Sequence, residues 1–307
     1  MGWLKTLFGG GGGGDEGVVG RSSGGLGVEE LARRVGIELQ DLRKVPVRYR
    51  EFTIPKRNGG ERRIYAPEEP LKAVQRRVLR GVLGRLRAHG AANGFEAGKS
   101  IVSNAARHVG KAVVVRMDVK EFFASTNKHR VIEYFKAIGW DDEAADLLVK
   151  LCTHKGGLPQ GAPTSPRLSN LVNWRLDERL GRMADAVAPG SVYTRYADDI
   201  TFSLEADERA AVRSLIFWTR RIAKEEGGYQ VHQRAKMRVI RRNDRQLVTG
   251  LVVNERVNLP RAKRRWLRAV RHHAKTGREA TLTPEQLAGW DALESMVRGR
   301  ETERGGT

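Results

Sequence analysis

The 307-residue chain contains a single cysteine, Cys152. A disulfide within the chain is therefore excluded, and so is a zinc site built on cysteines. The seven histidines show none of the spacings that ligate metals. His272-His273 fall in a basic helical stretch that suits solvent or phosphate better. No apolar run approaches the length of a membrane span. The first eight residues, Met-Gly-Trp-Leu-Lys-Thr-Leu-Phe, carry one positive charge and too short an apolar core for a secretory signal. Met1-Gly2 with Thr6 fits the loose myristoylation pattern, which often matches by chance. A cytoplasmic protein with no membrane association is expected. Acidic residues are also scarce. Asp and Glu number 36 against 56 Lys and Arg, a formal net charge of +20. That imbalance calls for a polyanionic partner, nucleic acid first. Hydrophobic residues make up 40%, which suits a globular chain of two or three subdomains.

Glycine, by contrast, is abundant at one end. Gly9 to Gly14 is an unbroken run, and glycine and serine persist to Gly27. Residues 1–27 should form a disordered tail. Folding should begin near Val28 with a helix from Glu29 to Val35 closed by Gly36. Residues 47–67 read as two strands joined at Lys56-Arg57-Asn58-Gly59-Gly60, where Asn-Gly signals a hairpin. Pro70 suits a first helical turn, and Leu71, Val74, Val78, Val82 and Leu86 recur at helical spacing. Helical signals run from about 130 to 152. A further helix opens after Ser165 with Leu168, Val172, Leu176 and Leu180 on one face, and another spans about 206–226. Short strands are expected around 236–240 and 247–253. Near the C terminus, Arg261, Arg264, Arg265, Arg268, Arg271 and Lys275 place six cations on one helical face. Ala262, Trp266, Ala269 and Val270 lie opposite. A last helix starts at Thr283-Pro284-Glu285-Gln286, with capping-box chemistry.

The chemistry centres on residues 195–203, Arg-Tyr-Ala-Asp-Asp-Ile-Thr-Phe-Ser. Two strand-like runs meet at Ala-Asp-Asp, a tight hairpin with adjacent carboxylates at its tip. Asp198 and Asp199 repel, and hard divalent cations are the usual remedy. Taken alone, the pair suits an ordinary Asx turn equally well. A second carboxylate strand, Val113 to Val119, ends at Asp118, 80 positions earlier. Three carboxylates together make a two-metal nucleotidyl-transfer site. Alone, Asp118 reads better as a strand-end cap. Five positions on, Phe123 can close over the sugar of an incoming nucleotide, whereas Phe122 reads as core. Between these lies Gly157-Leu158-Pro159-Gln160-Gly161-Ala162-Pro163-Thr164-Ser165-Pro166, whose glycines let a backbone approach a base pair closely.

On these residues the chain resembles the reverse transcriptases, and among them the bacterial retron enzymes. Asp118 with Phe122-Phe123, Gln160-Gly161 with Ser165-Pro166, and Tyr196-Ala197-Asp198-Asp199 match three of that class's motifs. Asn104-Ala105-Ala106-Arg107-His108 and Val248-Thr249-Gly250 match two short elements of the retron group. The resemblance covers about Val28 to Val270. It implies an α+β right-hand polymerase, with a palm of antiparallel sheet backed by helices, fingers and a helical thumb. The expected boundaries are 28–110 fingers, 111–127 first catalytic strand of the palm, 128–158 fingers and palm helices, 159–258 palm and 259–307 thumb.

By resemblance, Asp118, Val119, Asp198 and Asp199 would hold two Mg²⁺ ions, and Lys236 would protonate the leaving pyrophosphate. Lys56, Arg62, Arg63, Phe123, Gln160 and Gly161 would bind the nucleotide. Asn104, His108, Val248, Thr249, Gly250, Arg261, Arg264, Arg265 and Arg268 would bind RNA. His232 departs from the pattern, standing where the family more often has asparagine. The implied reaction copies one structured noncoding RNA from a guanosine 2′-hydroxyl, using dNTPs. Its product is branched multicopy single-stranded DNA, in anti-phage defence with a separate effector protein. Two alternatives remain. One is another defence-associated or intron-type reverse transcriptase, and the other is an inactive polymerase fold that only binds nucleic acid.

Overall fold

The computed structural model describes residues 25–56, 59–232, 237–276 and 281–302. The glycine run, Arg57-Asn58 and Lys236 lie outside the described residues. The chain enters through α1 (Val28–Val35) and α2 (Leu39–Lys44). α1 buries Val28, Leu31, Ala32 and Val35, and stops at Gly36 with φ 69°, the left-handed closure that glycine adopts without a Cβ penalty. A largely exposed antiparallel hairpin follows, β1 (Tyr49–Pro55) with β2 (Glu61–Pro67). α3 (Glu69–Val78) starts on Pro70, then loosens into a π-helical turn over Leu79–Leu83. The interruption coincides with Gly81, against which α1 packs so closely that a Cβ would lie 2.1 Å from the Arg34 carbonyl oxygen.

Next come α4 (Ile101–Ala106), β3 (Val113–Asp118) and the single turn α5 (Phe122–Ser125). The helical stretch expected over 130–152 is two helices, α6 (Lys128–Ala137) and α7 (Asp142–Cys152), parted at Gly139 with φ 100°. The stretch after Ser165 likewise divides, into α8 (Ser165–Val172) and α9 (Trp174–Val187). The break falls at buried Asn173, whose side-chain amide donates to the Ser169 carbonyl at 2.7 Å. Asparagine competes in this way for helix backbone groups. β4 (Val192–Tyr196), β5 (Asp199–Leu204), α10 (Arg209–Gly227) and β6 (Arg238–Arg241) complete the central part.

The strand expected over 247–253 is instead a miniature hairpin, β7 (Leu247–Val248) and β8 (Leu251–Val252). Thr249 and Gly250 turn it with φ 47° and 84°, the two positive values that a two-residue hairpin loop needs. α11 (Arg261–Lys275) and α12 (Pro284–Thr302) end the fold. Thr283 and Gln286 cap α12 reciprocally, at 3.1 and 3.3 Å. Among the described residues no helix is long and apolar enough to cross a membrane.

Four strands form one sheet in the order β4-β5-β3-β6, every neighbour antiparallel. Period-2 alternation gives the sheet two unlike faces. Val113, Val115, Met117, Ile200, Phe202 and Leu204 point one way and pack with Leu176, Leu180 and Met183 of α9 and with Leu215 and Ile222 of α10. Arg116, Asp118, Asp199, Thr201 and Ser203 point the other way. A second core joins α1, α3, α6, α7 and α8. A third gathers Val102 and Ala105 of α4, Val114 of β3, Val248, Leu251 and Leu267. Helix α4 therefore packs with the C-terminal elements rather than with the elements that precede it in sequence.

Candidate active site

β3 ends at Asp118 and β5 begins at Asp199, and the two are direct cross-strand partners. Asp198 lies at the turn between β4 and β5, where its carbonyl accepts from the Val119 amide at 2.9 Å. Ala197 holds φ 55° in that turn. All three acidic residues thus share one end of the sheet. The side chains of Asp118 and Asp199 stay about a quarter exposed, at 23% and 22%.

Each of the two facing carboxylates has a basic neighbour. The Arg116 guanidinium, two residues before Asp118 on the same face of β3, pairs with both oxygens of Asp199. Burial pushes the Asp199 carboxyl above its ordinary range, Arg116 pulls it back, and Asp118 pushes it up again. His232 Nε2 lies 3.3 Å from Asp118 Oδ1, and the His232 amide donates to the Asp118 carbonyl at 2.8 Å. The sequence departure at His232 thus falls directly against the first carboxylate. Among the described residues no three His, Cys, Asp or Glu side chains converge as a ready metal cluster. The backbones of the expected triad meet, while Arg116 and His232 share its charge. Three partly exposed carboxylates at one sheet end are nonetheless a hard-oxygen donor set of the kind Mg²⁺ takes.

The catalytic hairpin is held from behind. Arg195 is completely buried and forms a two-point pair with equally buried Asp177 of α9, at 2.6 and 2.7 Å. The Tyr193 hydroxyl donates to the same carboxylate at 2.7 Å. Arg195 also donates to the Ala197 carbonyl at 3.2 Å and to Asn170 Oδ1 at 3.1 Å, with its guanidinium 5.4 Å from the Phe122 ring centre. Nothing in the sequence pattern singled out Arg116 or Arg195. The available signal was a charged residue inside each of two otherwise β-rich runs, at a position that alternation assigns to a face.

The nucleotide-side residues come together only in part. Phe122 is core, as expected, at 3% exposure, and Phe123 is half-buried at the edge between two cores. Gln160 and Gly161 dock on the β1–β2 hairpin. The Tyr65 amide donates to the Gln160 carbonyl at 2.8 Å. At Gly161, with φ 124°, a Cβ would lie 2.9 Å from both Ile64 Cγ2 and the Tyr65 carbonyl. Glycine is required there by contact as well as by conformation. Lys56, Arg62 and Arg63 stand exposed on the hairpin, with Arg63 Nε 3.2 Å from a Glu51 carboxylate oxygen.

The two short elements expected to touch RNA pack on each other. The Thr249 hydroxyl donates to the Ile101 carbonyl at 2.9 Å, and Val102, Ala105 and Val248 share one core. Asn104, His108 and Val248 are buried. His108 bridges Ser203 of β5 at 2.7 Å and Thr194 of β4 at 2.8 Å, and burial holds its pKa down at about 3. These three side chains are closed off from solvent, and the surface of the two elements is left to exposed Arg107 and to the turn Thr249-Gly250. On α11, Arg261, Arg264, Arg265 and Arg268 are exposed. Arg271 leaves the expected six-cation face, because it pairs with Asp291 at 2.5 Å and Glu294 at 2.6 Å of α12. The opposite face is held by Leu267 and Val270, while Ala262 and Ala269 are exposed.

A four-stranded antiparallel sheet with carboxylates in cross-strand register at its open end, backed by two helices, is the frame of a nucleic-acid polymerase palm. The chain matches the family described as reverse transcriptase (RNA-dependent DNA polymerase) over residues 54–238, and it belongs to that family. It is 39% identical to the retron Mx162 reverse transcriptase of Myxococcus xanthus, across 88% of this chain and 63% of that protein. It is 36% identical to the retron Mx65 reverse transcriptase of the same organism, across 90% of this chain and 69% of the other. With the retron Ec86 reverse transcriptase of Escherichia coli the identity is 34%, across 86% of this chain and 82% of that one. The chain therefore spans just under two thirds of the Mx162 protein and more of the other two.

Proposed function

We propose that this chain is an RNA-directed DNA polymerase of the retron type. It would copy a cognate structured noncoding RNA from a guanosine 2′-hydroxyl, with dNTPs, into branched multicopy single-stranded DNA. The process would run in the cytoplasm, in anti-phage defence with a separate effector protein. The observation that carries the reading is the register Asp118↔Asp199 with Asp198 at the adjoining turn. It aligns the acidic residues of two motifs on one sheet end. Similarity to three retron reverse transcriptases supports the subclass.

In this reading, 28–110 and 128–158 act as fingers, 111–127 and 159–258 as palm, and 259–307 as thumb. Asp118, Asp198 and Asp199, with Val119 beside them, would hold two Mg²⁺ ions. When bound, these supply a lowered pKa at the attacking hydroxyl and charge neutralisation at the leaving pyrophosphate. The rest falls to the chain's own groups. Arg195 fixes the hairpin through the Ala197 carbonyl, so the carboxylates keep their spacing. Arg116 balances Asp199, limiting repulsion between neighbouring acids. Phe123 faces the sugar, Gln160-Gly161 offers backbone to the base pair, and Lys56, Arg62 and Arg63 meet the triphosphate. Lys236 would give its proton to the pyrophosphate. The exposed arginines of α11 track phosphates without reading bases. Orientation of a 2′-hydroxyl with no annealed 3′ end to position it can account for several kcal/mol of the barrier. The Thr249-Gly250 turn, tied to α4 through the Ile101 carbonyl, suits that shape-based recognition.

The test is direct. The purified protein is incubated with Mg²⁺, dNTPs and either the structured RNA encoded beside its gene or unrelated RNAs. The product is then treated with debranching enzyme and its ends are sequenced. DNA released from a guanosine 2′-oxygen, on the neighbouring RNA alone, is expected. Extension only from ordinary 3′-hydroxyl primers, with equal use of unrelated RNAs, would leave a reverse transcriptase of another lineage. No incorporation at all would leave a nucleic-acid-binding polymerase fold.

A further inference from the structure

Phe95 stands between the rings of Phe123 and Tyr196. It is 49% exposed, far more than a phenylalanine beside two cores requires. Its φ is 63°, in the left-handed region that bulky residues occupy only when the surroundings dictate it.

The surroundings do dictate it, from both sides. Before Phe95, the segment 91–93 runs along β4 as an extra edge. The Arg195 amide donates to the Ala91 carbonyl and the Asn93 amide to the Arg195 carbonyl, both at 2.8 Å. Gly94 lies flat on the catalytic turn, where a Cβ would sit 3.1 Å from the Ala197 nitrogen and 3.2 Å from the Tyr196 ring. After Phe95, Asn170 Nδ2 donates to the Gly94 carbonyl at 2.7 Å and to Glu96 Oε1 at 2.8 Å, and Arg167 pairs with Glu96. Backbone strain fixed by this many partners delivers one thing, an aromatic ring at a chosen place. That place is between Phe123 and Tyr196, with ring centres 6.2 Å from each. Tyr196 is the cross-strand partner of Asp199, so the ring lies beside the carboxylate end of the sheet.

We infer that Phe95 is a specificity-determining residue, a second aromatic wall of the pocket that receives the sugar of the incoming deoxynucleotide. This rests on the polymerase reading of the site. Its inner edge backs the Phe123 ring and limits how far that ring swings. Its exposed half offers an apolar surface to the C2′ side of the sugar, where a hydroxyl would be desolvated without a partner. Removing the ring should both weaken deoxynucleotide binding and relax the choice of sugar.

The experiment is steady-state incorporation by the full chain on poly(rA) primed with oligo(dT), using dTTP and then UTP. Phe95→Ala, Phe95→Leu and Phe95→Tyr are compared, with thermal melting of each. For Phe95→Ala, KM for dTTP should rise about tenfold while kcat changes less than threefold, as expected for one lost aromatic contact. The preference for dTTP over UTP should fall at least fivefold. Phe95→Tyr should restore both values, and Phe95→Leu, which keeps apolar volume, should lie between. If Phe95→Ala leaves KM and the sugar preference unchanged, the inference is overturned. It is overturned equally if kcat alone falls in all three variants, since the ring would then only prop Tyr196. Where the wild type does not extend oligo(dT), the same comparison is made on the RNA encoded beside its gene, and a wild-type chain that incorporates nothing on either template would overturn the polymerase reading itself, a result distinct from either of these.

Discussion

Acidification should loosen the central sheet through one residue, His108. Its two ring nitrogens bridge Thr194 and Ser203, and the site is buried behind α4. Burial, reinforced by Arg107 and Lys111, lowers its pKa from 6.5 to about 3. The folded state thus favours the neutral ring, while the unfolded chain binds a proton below pH 6.5. The contribution is fully present above that value and is lost as pH falls toward 3. Linkage gives a loss of about 2 kcal/mol at pH 5 and about 3 kcal/mol at pH 4, relative to pH 8. For a chain of 307 residues, 2 kcal/mol corresponds to roughly 3 °C in melting temperature. The measurement compares urea unfolding of the wild type and His108→Gln at pH 8, 6 and 5. Other groups titrate in both proteins, so the difference between their pH slopes isolates the histidine. His108→Gln should be less stable at pH 8, having lost a hydrogen bond, and the gap should close by about 2 kcal/mol at pH 5. If the two proteins lose stability in parallel, His108 is not the neutral buried bridge described here.

Four further outcomes are expected. Asp198→Asn should abolish Mg²⁺-dependent dNTP incorporation while leaving RNA binding in a filter assay within about threefold, and near-normal synthesis would refute the metal assignment. Phe123→Ala should raise UTP use relative to dTTP; an unmoved ratio would make Phe123 a core residue only. Replacing Arg264, Arg265 and Arg268 with Gln should weaken RNA binding across sequences and reduce the log–log salt slope by about one unit per lost phosphate contact. An unchanged slope would mean the face is merely solvated. Asp177→Asn should cost about 3 kcal/mol in urea unfolding, because it strands the buried Arg195 charge, and a loss under 1 kcal/mol would show that Asn170 and Ala197 suffice to hold it.

Much of the chemistry was legible in the linear chain because it depends on contiguous residues. The Asp-Asp tip, the strand ending at Asp118 and the Gln160-Gly161 loop each announce a local backbone shape. α1 with its Gly36 closure and the Thr283-Gln286 box of α12 were readable for the same reason, since capping is decided within four residues. Helix breaks were less so. Gly139 and Asn173 divide stretches whose hydrophobic spacing runs straight through them, because periodicity reports which side is buried and not where the axis turns.

The sequence alone pointed to the class of reaction site, to a polyanionic partner and to the two chain segments that carry the carboxylates. Only the tertiary structure decided how those carboxylates are balanced and supported. Arg116 and Asp199 are 83 positions apart, and Arg195 and Asp177 meet across the sheet and a helix. A guanidinium on a strand looks the same in sequence whether it faces solvent or a buried acid. The packing likewise buried Asn104 and His108, two expected RNA contacts, while leaving Arg107 between them exposed. It also drew Arg271 off the cationic face onto α12, and set Phe95 beside Phe123 and Tyr196. Desolvation is the physical reason. A polar or aromatic side chain takes its role from what excludes water around it, and that is fixed by residues distant in the chain.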